Sequence, residues 1–208
     1  MSSVLVPVNA LLGAPLVLTP PQQSIPLSNC EATSFVSLEG LPIDQVWKLR
    51  FTSLFSTFFT QYGHLWSLAP TEEVPLGPWH IFNDDAKIRF DCFDCGNGWT
   101  SMKGRVSFWF SLMAGSMPTQ GLVLFKLFGQ RCKACGSPQF QRPLWYPREV
   151  EKVVWNVYNK VGVLVYGLTG AESGIVRERR QGKPRKEHVS TDCEACSLGI
   201  CSVGTPAS

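Results

Sequence analysis

The sequence predicts an α+β fold: a small antiparallel sheet clamped by cysteine knuckles and packed by two helices, behind a flexible N-terminal tail. Three observations predict it. Seven of the eight cysteines fall into three CxxC pairs and one close follower. Segments with period-two alternation run directly into the first two pairs. Two longer segments, one on each side of this region, carry apolar residues at helical spacing.

Residues 1–42 are rich in Pro, Gly, Ser, Thr and Gln, and Pro20-Pro21 and Pro26 deny them regular structure. Asp44 is placed to cap a helix starting there. Phe51, Leu54, Phe55 and Phe58 follow i, i+3, i+4, i+7, Trp47 extends the stripe, and the helix should fade near Gln61, before Gly63. From Ala69 to Asp85 the chain reads as loop, broken by Pro70, Pro75 and Gly77-Pro78.

Strands follow. Lys87 to Asp91 alternates charged and apolar residues and runs into Cys92-Phe-Asp-Cys95. In the next strand Val106, Phe108 and Phe110 alternate with Arg105, Ser107 and Trp109. Met113 to Gln120 reads as a loop, and Leu122 to Gln130 as a third strand delivering the chain to Cys132-Lys-Ala-Cys135. A metal that joins strand ends in this way gives a zinc-ribbon-like sheet, in which the ion replaces core that a small sheet lacks. Pro147 then suits the first turn of a helix. Val150, Val153, Val154, Val157 and Val161 line one face of it to about Gly162. So many β-branched residues lower helix propensity, so that face must be packed. Val163 to Tyr166 reads either as a last helical turn or as a short strand. The predicted organisation is a Pro-rich tail (1–42), a zinc-binding domain (43–202) containing a basic linker (169–187), and a short tail (203–208).

The cysteines carry the chemistry. Cys92, Cys95, Cys132 and Cys135 offer four sulfurs; Cys193, Cys196 and Cys201 offer three, with His188 four residues before Cys193-Glu-Ala-Cys196. Each set is the complement of one tetrahedral structural zinc ion, two ions in all. Disulfides are the competing use of these pairs. With no basic residue preceding the apolar stretch Leu11 to Leu18, a secretory leader is disfavoured, which favours reduced cysteines and metal. The alternative partition interleaves the sets, Cys193 and Cys196 joining an earlier pair. The second set lies beyond a helix and a linker and reads as a separately folding cap on the first. Cys30 stands alone and reads as a small apolar or exposed thiol.

No catalytic constellation emerges, and the protein reads as a non-enzyme. The histidines His64 and His80 lie among aromatics, where packing is the expected role. Asp84-Asp85 reads as a turn. Phosphate loops, dinucleotide fingerprints and the His-x-Glu of zinc deaminases are absent. No apolar run reaches bilayer-spanning length. The formal net charge is +3. Arg177, Arg179, Arg180, Lys183, Arg185 and Lys186 against Glu178 and Glu187 give +4 locally, leaving −1 for the rest. That local cluster suits a phosphate-bearing contact such as RNA, or else a solvated linker.

One family matches this arrangement. The chain resembles the receptor-transporting proteins, which carry a 3CxxC-type zinc finger, from about Asp44 to Cys201. The matching marks are Trp47, Phe51, Trp66-Ser-Leu, Phe90-x-Cys92-x-x-Cys95 and Trp99-Thr-Ser. They continue in Gly121-x-Val, Phe128-Gly-Gln-Arg-Cys132-Lys-Ala-Cys135 and Trp145-Tyr146-Pro147, and close in His188-x4-Cys193-Glu-Ala-Cys196-Ser-Leu-Gly-Ile-Cys201. The resemblance implies zinc binding by these cysteines. It also implies an accessory, chaperone-like role toward seven-helix (G protein-coupled) receptors of odorant, taste or opioid type, aiding their delivery to the plasma membrane. The expected location is the cytosolic face of the endoplasmic reticulum or plasma membrane. One branch is associated with interferon responses and viral RNA, which would fit residues 177–188 in an antiviral, RNA-binding role. Several relatives end in a hydrophobic anchor where this chain stops at Ser208, so a membrane-peripheral protein is expected.

Overall fold

A computed structural model describes residues 40–113, 115, 117–168 and 189–201. The predicted tails apart from residues 40–42, together with Cys30, the basic linker with its six Arg and Lys residues, and His188, lie outside the described residues; Leu41 packs against the core.

Helix α1 (Ile43–Tyr62) starts one residue before Asp44. Asp44 therefore does not cap it: its carboxylate sits in the first turn, where it complements the helix dipole. The helix ends at Gly63, whose φ of 69° gives the left-handed C-cap that glycine adopts without strain. The predicted stripe is its buried face: Trp47, Phe51, Phe55 and Phe58 are all buried, with Leu54 packed beside them. Helix α2 (Pro147–Tyr166) has Pro147 in its first turn and ends at a second left-handed glycine, Gly167. Val163 to Tyr166 are thus helical. Its five valines at the predicted positions have no exposed surface, and their packing offsets the poor propensity of the segment.

Between the helices run β1 (Leu65–Pro70), β2 (His80–Asp91), β3 (Gly98–Met113), β4 (Gln120–Leu127), β5 (Gln130–Arg131), β6 (Phe140–Gln141) and β7 (Leu144–Trp145). Five of them form one sheet in the order β1-β4-β3-β2-β7, while β5 and β6 form a separate two-stranded ladder. The neighbours β2, β3 and β4 pair antiparallel as expected, and β7, a strand the sequence did not suggest, pairs antiparallel with β2. The sheet is nevertheless mixed, because β1 adds to β4 in parallel. Pro70, which demoted this segment in the sequence, closes an edge strand, where a missing amide is tolerated.

Strand β2 also begins earlier than its sequence suggests. Asp84-Asp85 is not a turn but lies within the strand. Asp84 is buried, receiving 2.7 Å and 2.8 Å hydrogen bonds from Asn156 Nδ2 and the Asp85 amide. Asp85 pairs with Arg105 at 3.3 Å across the ladder. These partners override the low strand propensity of aspartate. At the far end, Leu122 to Gln130 splits into β4 and β5 around Gly129.

The sheet buries both faces. Val106, Phe108, Phe110 and Val123 face the helices, where Trp47 stacks on Phe125 at 4.9 Å. The alternate positions Trp109 and Leu124 point to the other side. There they form a second core with Phe128, Cys193 and Ala195. The last cysteine cluster thus covers the back of the sheet, and the cap is continuous with it.

Two of the sequence marks prove to be partners across the parallel pair. Trp66 lies opposite Gly121, and a Cβ on Gly121 would sit 2.3 Å from the indole ring. The same indole donates a 2.8 Å hydrogen bond to Tyr166 Oη, tying β1 to the end of α2. Gly121→Ala should therefore force the ring out of place and cost about 2–3 kcal/mol, as overpacking does. Chemical denaturation checks this; a loss under about 0.5 kcal/mol, ordinary for a surface change, would refute the steric account.

Candidate metal centres

The two knuckles of the first cluster are built alike. Cys92 directly follows β2 and Cys132 directly follows β5. In each, the amide of the glycine after the pair returns to the first cysteine carbonyl: Gly96 to Cys92 at 2.9 Å and Gly136 to Cys132 at 3.1 Å. Both glycines have positive φ, 69° and 67°, so the repeated unit is C-x-x-C-G. That glycine was the sequence signal that a count of cysteines passes over. The tight turn aims both sulfurs, and nearby amides, at one point.

The four sulfurs converge. All lie within 4.8 Å of one another, with Cys92 Sγ 3.7 Å from Cys135 Sγ and Cys95 Sγ 3.8 Å from Cys132 Sγ. A tetrahedron of thiolates around zinc at ~2.3 Å has edges of about 3.8 Å. These separations fit the metal, and they exclude disulfides, whose sulfurs stand about 2.05 Å apart. All seven described cysteines are free. The Cys135 backbone amide, directed at Cys132 Sγ, pulls that thiol down to about 7, the Ala134 amide helping and burial opposing. At Cys135 the Ser137 amide is outweighed by the neighbouring sulfurs and burial, which push that thiol up to about 12, so four thiolates this close need a cation to neutralise them.

Support comes from residues that the cysteine pattern does not reveal. Gln141 Oε1 accepts the Phe93 amide at 3.0 Å, holding the first knuckle from β6. The Asn97 carbonyl accepts the Cys92 amide at 2.9 Å, and Asn97 Nδ2 lies 3.9 Å from Cys132 Sγ. Trp99 Nε1 donates to Gln130 Oε1 at 3.0 Å, joining β3 to the strand that carries Cys132. Such second contacts orient ligands about a metal.

The second cluster gathers Cys193, Cys196 and Cys201 within the same 4.8 Å limit. Cys193 precedes the short helix α3 (Glu194–Ser197). Beyond that helix the chain turns at Gly199, and the Cys201 amide returns to the Ala195 carbonyl at 3.2 Å. Burial, reinforced by the sulfurs of Cys201 and Cys193, pushes the Cys196 thiol up to about 12. Three thiolates this close need a cation to neutralise them, so this donor set also fits a metal. His188 lies outside the described residues. The two clusters are separate sets and do not interleave among the described residues.

The remaining candidates are structural contacts. His64 Nδ1 lies 3.0 Å from Tyr166 Oη, and His80 stacks on Phe110 at 5.4 Å. Among the described residues, no helix is long and apolar enough to cross a membrane.

Comparison with known proteins places these clusters in context. Residues 85–199 match the family model of a zinc-ribbon 3CxxC zinc-binding domain. The matched span contains both knuckles and the Cys193–Cys196 pair. Curated relatives are similar over 61–68% of the chain. Receptor-transporting protein 3 of Mus musculus is 27% identical over 143 residues, 67% of this chain and 30% of the relative. Receptor-transporting protein 4 of Homo sapiens is 26% identical over 129 residues, 61% of this chain and 50% of the relative. Its Mus musculus counterpart is 28% identical over 153 residues, 68% and 59% respectively. The chain thus spans between about a third and three-fifths of these relatives. No solved structure matches.

Proposed function

This chain belongs to the 3CxxC zinc-binding domain family, and we propose that it is a zinc-dependent accessory protein that binds seven-helix receptors and promotes their delivery to the plasma membrane. In this reading Cys92, Cys95, Cys132 and Cys135 hold one structural zinc. Cys193, Cys196 and Cys201, with His188 as fourth ligand, hold the second. Each ion crosslinks strands and loops, and residues 43–202 act as one folded unit on the cytosolic face of the endoplasmic reticulum or plasma membrane. Zinc with all ligand positions supplied by protein leaves no place for an activated water, so the metal serves the fold and binding does the work.

The observation that supports this most is the region of likeness. The 3CxxC family model spans the sulfur clusters from Cys92 to Cys196, and proteins named for receptor transport are similar over 61–68% of the chain. Co-expression with receptors of the odorant, taste or opioid type tests it. Receptor density at the cell surface should rise severalfold when the chain is present. An unchanged density, with the chain folded and carrying zinc, overturns the proposal.

The +4 charge of residues 177–188 supports a second reading, RNA binding in an antiviral role. Under it, RNA affinity falls steeply with salt and is lost when Arg177, Arg179, Arg180, Lys183, Arg185 and Lys186 are neutralised. Absent or salt-independent binding removes it.

A further inference from the structure

The chain is 17% charged, yet residues 51–71, 106–125 and 161–168 contain no Asp, Glu, Lys or Arg. Burial explains part of this, since these stretches supply much of the core. It does not explain the exposed positions. Along the outer side of α1, Thr52, Ser53, Ser56, Phe59 and Thr60 are exposed and all are neutral. Protein surfaces in water normally mix charges into such positions.

The fold brings the three neutral stretches to one end. Leu65 and Met113 both lie opposite Gln120 in the sheet, and the Leu65 amide donates to the Thr119 carbonyl at 2.9 Å. Tyr62 stacks on Tyr166 at 4.3 Å, which puts the last turn of α1 against the last turn of α2. Large apolar side chains protrude there: Phe59, Tyr62, Leu65, Met113, Met117 and Leu164 are exposed, Met117 by 95%. The first knuckle sits at the opposite end of β2, whose 12 residues span roughly 40 Å.

We infer that this end, free of Asp, Glu, Lys and Arg among the described residues, is a membrane-docking tip that inserts its apolar side chains into the interface of a zwitterionic bilayer. The chemistry favours lipid. Exposed methionines at the end of β3 and in the loop after it form a protruding apolar rim, which is all that shallow insertion needs. Tyr62 and His64 add amphipathic rings suited to headgroup depth. Charge matching points the same way, because Asp, Glu, Lys and Arg are costly at acyl depth and none lies here among the described residues. The cysteine knuckles would then face away from the membrane. This deepens the membrane-peripheral part of the proposed function without depending on receptor binding.

Flotation of the full, zinc-loaded chain with phosphatidylcholine vesicles tests the inference. The chain should float with neutral vesicles, and added salt should leave this unchanged. Met113→Asp and Met117→Asp should each lower partitioning about tenfold. Zinc content and circular dichroism show that the variants remain folded. Failure to float, or flotation that the two substitutions leave intact, overturns the inference. Flotation restricted to anionic vesicles and abolished by salt overturns it too, and assigns the contact to residues 177–188. A chain that floats but leaves receptor density unchanged loses the receptor reading alone; one that raises receptor density but does not float loses only the docking tip.

Discussion

Cys132→Ser should unfold most of this protein. Cys132 is buried, and its sulfur stands 3.8 Å from Cys95 Sγ inside the four-sulfur cluster. Serine cannot supply a thiolate. A structural zinc site in a small domain contributes on the order of 10 kcal/mol of folding free energy. The net stability of a domain is about 5–15 kcal/mol, so losing one site removes most or all of it. The sheet is exposed to that loss by its construction. The ion ties the β2–β3 turn to the β5–β6 hairpin, and β5 and β6 are only two residues long. A ladder so short does not hold itself in water. Metal analysis and circular dichroism provide the check. The variant should carry less than one zinc per chain and lose its native tryptophan environment, as should the wild type in chelator. Cys196→Ser should lose one ion and retain the main sheet, whose helix-facing core does not include that residue. A Cys132→Ser chain with two zinc ions and a native spectrum would overturn the assignment of this cluster.

The elements legible in the sequence were those with a single strong local cause. The phenylalanine stripe of α1, the valine stripe of α2 and the alternation of β3 each state one periodicity, and the structure buries those residues. Pro147 and the paired cysteines state one constraint each. The features that escaped depend on partners distant in the chain. Asp84 is acceptable in a strand because it finds partners there, among them Asn156, which reaches it from α2. Strand β1 is a strand only because Gly121 leaves room for the Trp66 ring. The cysteine sets were legible as ligands by count and spacing. The surface on which the second set rests was not, because Trp109 looks like one more strand residue until Ala195 is seen packed against it.

Glu194, a spacer residue in the third CxxC pair, should prove nearly as important as a ligand. Its carboxylate accepts the Gly129 amide at 2.7 Å and pairs with Lys126 at 3.0 Å. Lys126 is buried on the back of the sheet, supported otherwise by the Glu72 carbonyl at 2.7 Å, a looser pairing with the exposed Glu72 carboxylate and the Phe128 ring at 5.7 Å. Four further contacts run alongside. Gln130 bridges to Cys193, Arg131 donates to the Thr191 carbonyl at 3.2 Å, Lys133 pairs with Asp192 at 3.6 Å, and the Glu194 amide donates to the Gly129 carbonyl at 3.2 Å. Residues 191–194 are therefore strapped along residues 129–133, the segment that leads into the second knuckle. Gly129 makes that approach possible: a Cβ there would meet both the Gln141 carbonyl and Phe140 at 2.8 Å. Glu194→Ala leaves a buried ammonium short of its main counter-charge and a buried amide without an acceptor. The expected cost is about 3 kcal/mol, far above that of a surface ion pair. The strap should loosen, exposing Trp109, so tryptophan emission shifts to the red and zinc leaves the second cluster faster. Lys126→Met in the same chain should recover part of the loss, because it removes the stranded charge. If Glu194→Ala unfolds at the wild-type denaturant midpoint and Lys126→Met brings no recovery, the two clusters are held together by packing alone.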